Sequence, residues 1–259
     1  MPLPSPRRPT CPHLYKYSRP DRLEWLKPII LEHTLYLPDR TELNDPIDSL
    51  PKLSLQSEDE MILFILQRFV RADPTIPLTK LDEHERILRF NIGRNGTAAY
   101  HPGLVKSFDD QLATFKVYAM TKHYDKMNLW AHYGAYHRGY CLEFLNEGPL
   151  FENAKEVNYL PPDQMSILIT DPSIFNGDFF FCKTLDWSNE EEVRLVAHRG
   201  QGPRVKMNDP RWLNRIILGK EMQDSHRQKI REWAGQREPQ LTVAEAHLDP
   251  VSRTIKLKC

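Results

Sequence analysis

Glu190, Glu192 and Arg194 lie at alternate positions in Trp187-Ser188-Asn189-Glu190-Glu191-Glu192-Val193-Arg194. On an extended chain the three share one face. Two carboxylates and a guanidinium in a row suit chemistry at a sugar. One carboxylate can accept from a ribose hydroxyl and stabilise positive charge as a glycosidic bond breaks, and the other can serve as general base. Like charges two residues apart push one pKa upward, which favours a base near neutral pH. The plainer alternative is a solvated acidic turn with one Glu–Arg pair.

A second dense stretch is Asn128-Leu129-Trp130-Ala131-His132-Tyr133-Gly134-Ala135-Tyr136-His137-Arg138-Gly139. In a helix Trp130 and Tyr133 share a face, as do His132 and Tyr136. The aromatics could stack on a base or a nicotinamide ring while Arg138 binds phosphate; packing in the core is the competing explanation. His132 and His137 are five apart and no H-E-x-x-H is present, so no metal site is expected. Leu14-Tyr15-Lys16-Tyr17 places two tyrosines on one strand face, and Leu43-Asn44-Asp45-Pro46-Ile47-Asp48 reads as a turn. Glycine-rich phosphate loops and the G-x-S-x-G nucleophile motif are missing from the sequence.

The elements that must hold these groups form an α+β pattern. Strands are expected at Leu14–Tyr17, Thr34–Leu37, Phe115–Met120, Tyr140–Phe144, Val157–Tyr159, Glu192–Ala197, Arg215–Leu218, Leu241–Ala246 and Thr254–Leu257. Helices are expected at Arg22–Ile30, interrupted by Pro28, and at Glu58–Ala72, Leu81–Phe90, Asp125–Tyr136 and Glu221–Trp233. The second of these, apolar nearly all round from Met61 to Leu66, should be buried. Asn91–Lys106 reads as a loop. Strands and helices do not alternate regularly, which favours a mixed, mostly antiparallel sheet with flanking helices over a doubly wound one.

The 259 residues suit a single domain over 14–259 behind a disordered lead-in at 1–13, with 57–106 as a helical insertion or lid. Lys plus Arg and Asp plus Glu both number 35, so bulk charge offers no attraction to nucleic acid or anionic membrane. No apolar run would span a bilayer and no secretory h-region opens the chain, so a cytoplasmic location is expected. Cys11, Cys141, Cys182 and Cys259 are too widely spaced for a disulfide framework or structural zinc.

Taken in order, Leu14-Tyr15-Lys16-Tyr17, Asn44-Asp45-Pro46 with Asp48, Leu129-Trp130-Ala131-His132-Tyr133-Gly134 with His137-Arg138-Gly139, Trp187 with Glu190-x-Glu192-x-Arg194, and Arg215-Ile216-Ile217-Leu218-Gly219 resemble the bacterial domain of unknown function 2971 family. The resemblance covers Leu14 to Gly219. It departs at Ile47, where the family usually has Phe, and at Val193, often an aromatic. More distantly, the layout resembles the ADP-ribosyltransferases, which cleave the nicotinamide–ribose bond of NAD. That similarity implies NAD as substrate, Glu192 on the ribose and Glu190 orienting or deprotonating the acceptor. It also implies Tyr15, Tyr17 and Tyr36 at the nicotinamide and Arg138 at the pyrophosphate, with Trp130, His132, Tyr133 and Arg194 completing the nucleotide site. The usual first-strand histidine or arginine is absent unless Lys16 or a tyrosine replaces it. The implied partners are a nucleotide-type molecule and an unidentified protein or nucleic-acid acceptor, in bacterial defence or toxin biology. A catalytically silent nucleotide-sensing or protein-binding module is the alternative, and a metal-dependent hydrolase or nuclease built on Glu190, Glu192 and His132 or His137 is a third.

Overall fold

His13–Ser18 forms the first strand, β1, which lies inside the main sheet between the fourth and fifth strands of the chain. A computed structural model describes residues 3–43, 45, 48, 52–54, 57–96, 103, 106, 109, 110, 112–168, 177–197 and 203–258. In chain order the strands are β1, β2 (Thr34–Tyr36), β3 (Lys52–Ser54), β4 (Lys116–Thr121), β5 (Tyr140–Leu145), β6 (Lys155–Glu156), β7 (Asn158–Leu160), β8 (Ser166–Leu168), β9 (Cys182–Thr184), β10 (Glu192–Ala197), β11 (Arg204–Lys206), β12 (Leu213–Leu218), β13 (Thr242–Asp249) and β14 (Thr254–Lys258). The longer helices are α1 (Leu23–Leu31), α2 (Glu58–Ala72), α3 (Leu78–Asn95), α4 (Met127–His132) and α5 (Asp224–Gly235).

Eight strands make one sheet in the order β14-β13-β12-β5-β1-β4-β10-β6. All its pairs are antiparallel except β12 with β13. The chain is therefore α+β, with a mostly antiparallel sheet and flanking helices. One sheet face carries the main core, where Leu14, Tyr118, Leu142, Val193 and Ile216 meet Leu26 and Ile30 of α1 and Ile230 and Trp233 of α5. The other face carries two smaller clusters. Tyr15, Tyr17, Cys141 and Ile217 pack with Leu129 and Trp130 of α4, and Val117 packs with Leu112, Phe115, Phe179 and Phe180. The gap between those two clusters is where the charged groups collect.

Several elements differ from expectation. Pro28 does not interrupt α1, because the helix runs from Leu23 to Leu31 with Pro28 inside it; the carbonyl left without its donor belongs to Glu24, an exposed residue. α2 buries one face only, through Met61, Ile62 and Phe64, while Leu63 and Val70 are exposed. It pairs with α3, which continues to Asn95 into the stretch expected to be loop. The two share a small core of their own with Ile92. The segment before β1, expected to be disordered, lies along the sheet edge: Arg7 O accepts from the Glu156 backbone N–H at 2.7 Å, and Asn146 donates to Pro9 O and Cys11 O. The helix expected at Asp125–Tyr136 covers only Met127–His132. Ala135, Tyr136 and His137 instead take left-handed backbone conformations, φ 49°, 54° and 65°. Close backbone approach imposes this turn. A Cβ on Gly139 would lie 2.0 Å from Ser18 O, and one on Gly219 would lie 2.2 Å from His137 O. Cys11, Cys141 and Cys182 are free thiols. Cys259, most of 97–108, and Asn44, Pro46 and Ile47 of the Asn-Asp-Pro turn lie outside the described residues. Among the described residues no helix is long and apolar enough to cross a membrane.

Candidate functional site

Glu190 is not on the extended chain. It ends a 3-10 turn, Leu185–Glu190, and Glu191 follows with φ 44°. That left-handed residue turns the chain so that Glu190 and Glu192 both face inward while Glu191 faces out. Lys126 Nζ lies 2.5 Å from Glu191 and His123 Nε2 lies 3.0 Å from it, and these partners hold its carboxyl down at about 2. The ion pairs offset the backbone cost of a non-glycine residue at positive φ, on the order of 1–2 kcal/mol.

Glu190, Glu192 and Arg194 are all buried, so the solvated-turn alternative is overturned. Their partner is Lys183 of β9, a residue that sequence reasoning missed. Its ammonium lies 2.7 Å from Glu190, 3.1 Å from Glu192 and 3.7 Å from Asp48, under the Trp187 ring at 4.7 Å. Arg194 donates through Nε to Glu192 at 2.6 Å, and through Nη2 to Glu192 at 3.0 Å and to Asp48 at 2.7 Å. Its Nη1 donates to Phe180 O at 2.7 Å. Asp48, from the segment expected to be a plain turn, is thus part of the cluster. Three carboxylates face two cations. Burial opposes the charge on Glu192, yet Arg194 and Lys183 hold its carboxyl well below the usual carboxylate range. Lys183 between the two glutamates replaces the expected like-charge repulsion, and an ionised, doubly donated Glu192 is a fixed anion and a poor base.

The anion faces a small cleft. In register, Glu192 lies opposite Thr121, and Thr121 lies opposite Tyr15, so one row crosses β10, β4 and β1 on a single face. Thr121 donates to Glu190 O at 2.6 Å, Tyr133 donates to the Glu190 carboxylate at 2.5 Å, and the Glu192 backbone N–H donates to the Tyr159 hydroxyl at 2.8 Å. Tyr15, Tyr17, Thr121, Leu129, Glu190 and Glu192 are among the residues enclosing a space of about 60 Å³. At roughly 10–15 Å³ for each water held, that is room for a single ring or one sugar face. Burial pushes the Tyr15 and Tyr17 hydroxyls up, so both remain neutral donors.

The remaining expected site residues lie elsewhere. Trp130 is fully buried, donates to Tyr124 O at 2.7 Å and stacks on His137, so it is core. Tyr133 reaches the site and Trp130 does not. His132 and Arg138 are exposed and line no part of the cleft. Tyr36 donates to Glu42 at 2.9 Å and opens onto a separate cavity on the opposite sheet face. Arg194 is saturated by protein partners, so it positions Glu192 and does not meet a ligand. Lys16, the candidate stand-in for a first-strand histidine or arginine, borders the Glu192 cleft, but its side chain alternates away from the Glu192 row and its ammonium sits above the Tyr118 ring at 5.2 Å. Among the described residues no group of three histidine, cysteine or acidic side chains is arranged for a metal ion. No family model, no curated protein and no solved structure matches the chain.

Proposed function

We propose that the chain is an ADP-ribosyltransferase-like enzyme that cleaves the nicotinamide–ribose bond of NAD, the activity implied by its resemblance in layout to those enzymes. The observation that carries it is the row Tyr15–Thr121–Glu192, in register across three adjacent strands beneath an aromatic cleft. The nicotinamide–ribose end enters between Tyr15, Tyr17 and Leu129, and the rest of the dinucleotide lies outside the cleft. As the C1′–N bond breaks, its electron pair leaves with nicotinamide. Glu192, permanently anionic, stabilises the positive charge left on the sugar. An acceptor nucleophile then bonds to C1′ and loses its proton to solvent. Glu190, held by Tyr133 and Lys183, orients the ribose or the acceptor. The domain of unknown function 2971 resemblance and a role in bacterial defence, in the cytoplasm, belong to the same proposal.

One observation favours a second reading. Each carboxylate oxygen of Glu190 and Glu192 already accepts from a protein donor. A catalytically silent nucleotide-binding module would look the same. A metal-dependent hydrolase is disfavoured by charge, since a divalent ion between the glutamates would have to displace Lys183. Calorimetric titration with NAD, followed by chromatography of the same sample, separates the first two readings. Heat of binding with free nicotinamide in the product supports the enzyme, and binding with intact NAD supports the module. No binding removes both.

A further inference from the structure

The opposite face of β1 carries a second cleft of about 110 Å³, larger than the space beside Glu192. Lys16 and Arg22 enter it, and Trp25, Tyr36, Tyr118 and Tyr140 are among its walls. The two cations lean on rings: Lys16 Nζ lies 5.2 Å from the Tyr118 centroid and the Arg22 guanidinium 5.8 Å from that of Trp25. Among the described residues neither has a carboxylate within ion-pair distance. Glu42, the acid in the wall, is engaged by the Tyr36 hydroxyl at 2.9 Å through both oxygens and by the Asp39 backbone N–H at 3.0 Å.

We infer that this cleft is a ligand site for a small aromatic anion, a carboxylate or phosphate carried on a flat ring. Trp25 and Tyr36 meet edge to face at 4.7 Å and 89°, leaving a right-angled corner in which one flat ring can stack on one wall and touch the edge of the other. The oxyanion then reaches Lys16 and Arg22. Lys16, withdrawn from water above the Tyr118 ring with no carboxylate in ion-pair reach, has lost hydration that such a ligand restores, and the exposed Arg22 adds a second positive charge at the mouth. Burial pulls the Lys16 amine down to about 8, which still leaves it mostly protonated at neutral pH. Room for several waters, at roughly 10–15 Å³ each, accommodates the charged end of a single-ring ligand.

The inference does not rest on NAD cleavage, and its probes contain no glycosidic bond. Wild-type protein is titrated calorimetrically with benzoate, phenyl phosphate and neutral benzyl alcohol. Either anion should bind, benzyl alcohol should bind at least about tenfold more weakly, and the tighter of the two anions identifies the oxyanion. Loss of one charge-assisted hydrogen bond is worth about tenfold or more in affinity. Lys16→Met should weaken the anion by that factor, and so should Arg22→Gln, which alters an exposed side chain and so decides the matter if Lys16→Met does not fold. Tyr15→Phe, on the other face of the strand, should leave binding unchanged. Failure of both anions to bind, equal binding of benzyl alcohol, or unchanged affinity in a folded Lys16 or Arg22 variant would overturn the assignment.

Discussion

Replacing Lys183 by methionine keeps most of the side-chain volume and removes the ammonium that touches three buried carboxylates at 2.7, 3.1 and 3.7 Å. In the wild-type protein three negative charges face two positive ones. In Lys183→Met only Arg194 remains, and its donors are already directed at Glu192, Asp48 and Phe180 O. Glu190 keeps the Tyr133 hydroxyl but loses its cation. Breaking a buried ion pair from one side costs about 3–5 kcal/mol, since the partner's desolvation is no longer compensated. The carboxylates can escape part of this by taking up a proton, which raises a folded-state pKa. The loss should therefore be full at pH 7 and should shrink as the pH approaches the ordinary glutamate value of ~4.3. Urea unfolding at pH 7.5 and pH 4.5, wild type beside variant, reads both quantities. A loss under about 1 kcal/mol at pH 7.5, or an equal loss at the two pH values, would refute a desolvated lysine between the glutamates.

Other outcomes follow from the same contacts. Because Glu192 is held below its unfolded-state pKa, its contribution to stability is complete above ~4.3 and is lost as the pH falls through its lowered folded value; acid titration of unfolding free energy should show this loss in the wild type and a smaller one in Glu192→Gln. Gly139→Ala sets a methyl 2.0 Å from Ser18 O, a backbone atom that cannot turn away, so it should lower stability by more than about 3 kcal/mol in thermal or urea unfolding. Ala135→Gly relieves a left-handed alanine and should be neutral or stabilising by up to about 1 kcal/mol, whereas clear destabilisation would contradict that turn geometry.

The sheet was readable because its strands alternate. Val193 and Leu195 face the main core and Glu192 and Arg194 the other side, as period two requires. The charge cluster was half readable. Glu190, Glu192 and Arg194 announce themselves as neighbours, but Lys183 stands in a three-residue strand too short to show any period, and Asp48 meets Arg194 from 146 residues away. No local pattern encodes a partner at that distance. The stretch after Trp130 misled for a different reason. Alanine, tyrosine and histidine carry no signal for left-handed backbone, and the turn is set by glycines 139 and 219 lying against other backbone segments. Its aromatic richness reflects that packing, and only Tyr133 reaches the carboxylates. Tyr36 was misplaced because the pattern along its strand does not reveal which cavity it opens onto, whereas the alternation of Leu14 and Lys16 against Tyr15 and Tyr17 was readable.

The most direct test of the proposed activity is mass spectrometry of the purified chain incubated with NAD, beside Glu192→Gln shown by circular dichroism to be folded. Time-dependent release of nicotinamide by the wild type and none by the variant is the predicted result. Equal release by both would contradict the role given to the fixed Glu192 anion, and intact NAD with both would contradict the proposed cleavage itself.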